Sequence, residues 1–181
     1  SGDYSQAIGN NAGNTGQGTA AVALGSQSGE TSQGDKAVAV GQYAGQTSQG
    51  ANTVAIGKEA GQTSQGQHGV AVGEQAGETD QGVYTVAIGM QAGQTSQGGS
   101  GVAIGYNAGG TSQGADGIAI GQNARASGQG NLSIAIGEGA GHTNQTANSI
   151  VLNATGSQLN NTQASSLVIK PIRNATMTTI L

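Results

Sequence analysis

A period of sixteen residues holds from Tyr4 to Asn153 without one insertion. The stretch "VAIGKEAGQTSQG" (Val54 to Gly66) reads "VAVGQYAGQTSQG" sixteen residues earlier and "VAIGMQAGQTSQG" thirty-two residues later. A Val or Ile recurs from Val22 to Ile150, followed by Ala, by a second β-branched residue or Leu, and by Gly. Further along each unit stand a small residue, a Thr and a Gln. So strict a period implies one structural unit per repeat, each stacked in register on its neighbours. Helix is opposed by the 35 Gly, each of which costs about 1 kcal/mol in a helix. A short β-branched run bounded by Gly reads instead as a strand. The expected fold is therefore all-β: a roll or solenoid of about ten sixteen-residue coils. Each coil adds about 4.8 Å, which makes a rod of roughly 50 Å.

Stacking in register offers a reason for the repeated Gln. The column Gln17, Gln33, Gln49, Gln65, Gln81, Gln97, Gln113, Gln129 and Gln145 has no exception. A Gln amide carries both donors and an acceptor, so each side chain can bond to the Gln above and below it. Such ladders accompany stacked β-structure. A structural Gln ladder is the expectation, in preference to a turn residue merely copied by duplication.

Both faces of the strand are apolar. In "TVAIG" (Thr53 to Gly57) the large Val54 and Ile56 point one way, Thr53 and Ala55 the other. A strand exposed on one face would drift to polar residues there, and neither face does. One face can pack inside the chain's own coil, and the other needs a partner, most economically another copy of the chain. Facing sheets stand about 10 Å apart and need bulky side chains between them. This favours Val54, Ile56, Val86, Ile88, Val102 and Ile104 as the interior strand core. Ala39, Ala55, Ala71, Ala87, Ala103 and Ala119 then form the candidate face between chains. The opposite assignment stays open. The positions that vary between repeats mark the outside, and they hold nearly every charge, all four Tyr and both His. Among them Tyr43, Tyr84 and Tyr106 are candidate exposed receptor contacts. Asp80 and Arg125 are charges inside the otherwise regular part of the unit.

Composition removes several function classes. Five Lys and Arg, unclustered, with a net charge of −4, cannot build a phosphate-neutralising patch, so no nucleic-acid partner is expected. No apolar run is long enough to cross a bilayer. "GKEAGQ" lacks the Gly-Lys-Ser/Thr of a phosphate loop, and Gly137, Gly139 and Gly141 fall in a turn of the repeat. His68 and His142 occupy different columns and do not converge on a metal. Glu74, Glu78 and Asp80 could align on one edge, where a solvated edge is the simpler reading. No nucleophile–base pair stands out; neither an enzyme nor a cofactor is expected. Asn131, Asn144, Asn153, Asn160 and Asn174 each begin an Asn-x-Ser/Thr triplet, which matters only in a secretory pathway.

The units "SIAIG" (Ser133 to Gly137) and "NSI" (Asn148 to Ile150), with the V-A-I-G-x-x-A core that returns along the chain, resemble the head repeat of YadA-like trimeric autotransporter adhesins. The resemblance covers residues 4–153 and implies a left-handed parallel β-roll that trimerises around a threefold axis. The tail "SSLVIKPIRNATMTTIL" (Ser165 to Leu181) resembles the segment of viral and phage fibre proteins that precedes a C-terminal intramolecular chaperone of the endosialidase type. Two regions follow: a β-roll repeat domain over 1–153, and a cap or linker over 154–181 leading to a downstream domain. Ser1-Gly2 reads as a cloning scar on a fragment. The function these resemblances imply is a homotrimeric, non-enzymatic fibre shaft or head on a virion, or on an extracellular or cell surface. It would serve as spacer and attachment device toward a host-surface receptor or glycan, without inserting into a membrane. A bacterial adhesin head that binds matrix proteins is the alternative. An ice- or crystal-binding solenoid, presenting Thr and Gln ladders, is the alternative of another class.

Overall fold

The computed structural model describes residues 2–172. The remainder of the fibre-like tail, with Asn174, lies outside them. Two parallel sheets run along the chain, and the described residues contain no helix. The longer sheet has eleven strands, from Gln6–Ile8 to Leu167–Lys170, and the shorter has six, from Thr31–Gln33 to Thr111–Gln113. Through the repeats every strand pairs with its equivalent sixteen residues on: Val86 with Val102, Ala87 with Ala103, Ile88 with Ile104. The expected β-solenoid of about ten coils is thus the fold. The sheet also continues past residue 153. Leu167–Lys170 pairs with Ile150–Asn153 in parallel, so the coil stack extends into the segment read as a cap.

The interior belongs to the Ala face, which corrects the assignment of faces. Ala39, Ala55, Ala71, Ala87, Ala103 and Ala119, expected between chains, are completely buried within the coil. They pack with the second Ala column, Ala44 to Ala124, which comes from the turn of the same units. Val54, Val86, Val102 and Ile104 are half-buried on the outside, and Ile56 and Ile88 remain 40% exposed. The physical reason is the tightness of the coil. Sixteen residues closed into one coil bring its walls too close for branched side chains, so methyl groups meet methyl groups. The 10 Å separation that favoured Val and Ile inside belongs to sheets with large residues between them. The small residue before each Val also points inward. Where it is Ser or Thr, its hydroxyl donates three residues back, as from Thr53 to the Gly50 carbonyl (2.8 Å) and from Ser133 to that of Gly130.

The Gln column is buried, yet its bonds run in a different direction from the one expected. Gln17, Gln33, Gln49, Gln65, Gln97, Gln113, Gln129 and Gln145 each donate from Nε2 across the coil. Their acceptor is the carbonyl eleven residues earlier, at the first strand residue of the same unit, at 2.8–3.3 Å. Within this column, amide–amide bonds occur only from Gln49 to Gln65 and from Gln81 to Gln97. Eight of the nine Gln are therefore struts within their coils, and Gln81 instead donates to Gln97 of the next coil. Side-chain ladders between coils do exist, but outside. Gln62 donates to Gln46 and Gln46 to Glu30, while Gln91 donates to Gln75 and Gln75 to Glu59.

Gln97 donates to both Val86 and Gly101 and accepts from Gln81. Gln97→Leu should cost about 1–3 kcal/mol, since it strands the Gln81 amide and takes the side-chain donor from the Val86 and Gly101 carbonyls. Gln122→Leu, at an exposed position, should be near neutral. Thermal melts of both variants check this; equal shifts would remove the strut argument.

Candidate functional site

The outward side chains of the long sheet form two parallel columns. One runs Val22, Val38, Val54, Val70, Val86, Val102, Ile118, Ile134 and Ile150, and the other Leu24, Val40, Ile56, Val72, Ile88, Ile104, Ile120, Ile136 and Leu152. All are half-buried or exposed. Parallel register places each directly over the last, so they make one unbroken apolar ribbon along the rod. Isolated surface hydrophobics are ordinary, whereas a continuous ribbon marks an interaction surface. The sequence already showed that both strand faces are apolar; what it did not show was which one remains outside.

Each coil turns three corners, and each corner uses a left-handed residue. One column is Asn11, Gln27, Tyr43, Glu59, Gln75, Gln91, Asn107 and Asn123; the second includes Ser32, Ser48, Ser64, Asp80, Ser96 and Ser112; the third runs from Tyr4 to Ser165. Their φ values lie between 50° and 60°, a region uncommon for residues other than Gly. Sequence reasoning missed these corners. The first and third columns vary in residue type, the second is mostly Ser, and none holds a residue type that demands a left-handed turn. Asp80 and Ser64 are thus equivalent corner residues, and Asp80 is exposed.

The corner columns carry the variable side chains outward. Tyr84 is 61% exposed and Tyr106 43%, while Tyr43 is half-buried. The three Tyr do not form one cluster: Tyr43 and Tyr84 stand on different corners, and Tyr106 sits just before Asn107, on Tyr43's corner but several coils away. His68 and Tyr84 come together on the third corner, one coil apart, with ring centroids 5.0 Å apart and planes within 7°. Lys58 bridges Glu59 (3.3 Å) and Glu74 (3.5 Å) at the surface, contacts of small energetic weight. Among the described residues no group of three or more His, Asp and Glu could hold a metal ion, and no helix is long and apolar enough to cross a membrane. The Gln column, burying its amides inside the coil, does not join the Thr column on an outer face. Of the Asn-x-Ser/Thr triplets, Asn153 is buried, whereas Asn131, Asn144 and Asn160 are exposed.

Arg125 is the anomaly. It replaces Gly in the column Gly93, Gly109, Gly141, and its side chain is fully buried. Nη1 donates to the Ser127 carbonyl at 3.2 Å and to that of Gly141 at 3.5 Å, while Nε and Nη2 have no partner. The second sheet ends one coil earlier, at Thr111–Gln113, and only single bridges continue through Ser127. Burial pushes the guanidinium well below its ordinary range, to about 9. The folded value is the lower one, so the fold disfavours the charged form. The destabilisation is present in full below about pH 9 and fades as pH rises from there toward the ordinary guanidinium range. Arg125→Gly restores the column and should stabilise the rod by about 1–4 kcal/mol at neutral pH. Melting temperatures of the two proteins at pH 7 and pH 10 check this: the gap should be positive at pH 7 and narrower at pH 10.

Comparison with known proteins agrees with this architecture. Residues 112–140 match the family described as the YadA head domain repeat, in two copies. The chain therefore carries YadA-like head repeats there, and the same sixteen-residue unit recurs along the rest of the rod. No curated protein and no solved structure matches the chain.

Proposed function

We propose that the chain is the shaft or head of a homotrimeric surface fibre, a non-enzymatic spacer and attachment device on a virion or cell surface. The observation that carries this reading is the Val/Ile ribbon, an apolar surface as long as the rod that no described residue covers. Closed association of identical chains covers such a ribbon without open-ended polymerisation. The YadA-like repeats favour three chains with left-handed coils. Residues 1–153 are the repeat domain. Residues 154–181 are the cap or linker toward a downstream domain, of the endosialidase-chaperone type in a viral or phage fibre. The matrix-binding bacterial adhesin head is the alternative placement of the same rod. Light scattering on the purified chain should give three times its 17.4 kDa mass. A stable, fully folded monomer at micromolar concentration would overturn the reading.

A further inference from the structure

The third corner column reads Asn52, His68, Tyr84, Ser100, Asp116, with φ between 55° and 59° throughout. Backbone bonds hold it in register: Tyr84 N–H to the Gln67 carbonyl (3.0 Å), Ser100 to Val83 (2.8 Å), Asp116 to Gly99 (2.9 Å). Successive side chains therefore project from successive coils, about 4.8 Å apart, and the 5.0 Å between the His68 and Tyr84 rings matches that step. His68 covers one face of Tyr84. On the other side the next position is the small Ser100, flanked by Gly99 and Gly101. An added Cβ at Gly99 would meet nothing nearer than the Val83 carbonyl oxygen at 3.7 Å. The exposed carboxylate of Asp116 stands one coil further on. In register, the small Ser100 thus leaves a notch between the levels of Tyr84 and Asp116, about 9–10 Å apart. No other aromatic pair stacks among the described residues.

We propose that this notch over Ser100, between Tyr84 and Asp116, binds one pyranose ring of a neutral glycan; the proposal rests on the attachment reading above. A sugar presents C–H groups on one face and hydroxyls on its rim. Contact of that face with the Tyr84 ring takes about 3.5–4 Å, and a hydroxyl hydrogen bond to the Asp116 carboxylate about 2.7 Å more. These distances, together with the thickness of the ring and its hydroxyl, fill the notch. The second side of Tyr84 is already packed by His68, which fixes the ring plane across the rod axis and pre-organises the platform. A compact organic cation would also be drawn to Tyr84 and Asp116, but it would leave much of the notch empty and the Ser100 hydroxyl unused.

The test is a glycan array followed by titration with methyl hexopyranosides, using the assembled chain. Two variants accompany it. Tyr84→Ala removes the platform, and Ser100→Tyr extends the aromatic stack into the notch. Both residue types already occupy this column, at Ala20 and Tyr84, so assembled mass and melting temperature should be unchanged. The expected result is binding by the unmodified protein, at least about tenfold weaker in Tyr84→Ala and abolished in Ser100→Tyr. Binding unaltered in both variants overturns the assignment, as does binding of tetramethylammonium to the unmodified protein at concentrations at which no methyl hexopyranoside binds. If the unmodified protein binds no glycan but still adheres to cells, this proposal falls and the attachment reading stands. If it does neither, both fall.

Discussion

Ala87→Lys should unfold the rod, whereas Ile88→Lys should spare the coils and break their assembly. The two residues are adjacent and share one strand, yet they face opposite media. Ala87 is completely buried between coil walls that leave room for a methyl group. A lysine there must either bury an unpaired ammonium or force the coil open. It should cost more than about 4 kcal/mol, in the range reserved for buried unpaired charges and overpacked cores. Ile88 is already 40% exposed in the single chain, so a lysine reaches water without strain. In the proposed trimer the same lysine would sit on the ribbon between chains, three charges around one axis. Circular dichroism should show lost β-structure for Ala87→Lys only. Light scattering should show lost trimer for both, with Ile88→Lys leaving smaller species at low concentration. Equal, folded trimers in both variants would refute the assignment of faces and the interface together.

Gly73→Ala should be nearly as damaging, through backbone alone. Gly73 follows the strand with φ of +132°, and an added Cβ would lie 2.6 Å from the Gly89 carbonyl oxygen of the next coil. That neighbour is backbone, and it cannot rotate away as a side chain would. Moving it breaks the register of every coil beyond. The φ value itself is one that L-residues strongly avoid. The expected loss exceeds about 3 kcal/mol. Gly99→Ala supplies the contrast, with open space around the added methyl and no positive φ; it should shift the melt little. A comparable melting shift for the two would show that coil spacing is not set by the strand-exit glycines.

How much of this was legible beforehand can be traced residue by residue. The solenoid followed from the period, because identical units without insertions can satisfy their edges only by stacking. The column of Gln was legible as buried structure. The geometry of its bonds was not, since a sequence places Gln65 near Gln49 and Gln81 but does not reveal that Val54 lies across the coil. The notch between Tyr84 and Asp116 was half legible: the candidate Tyr was identified, its column partners were not. Corner positions carry no residue signature when Tyr, Lys, His and Asp all adopt the same left-handed turn.

By itself, then, the sequence determined parallel stacking in register and an apolar pattern on both faces of every strand. Only the tertiary structure decided which face turns inward. Periodicity is symmetric between the two faces of a strand, and volume is not. Two coil walls joined by tight left-handed corners approach until methyl groups touch, so Ala87 goes inside and Ile88 is left outside to find another chain.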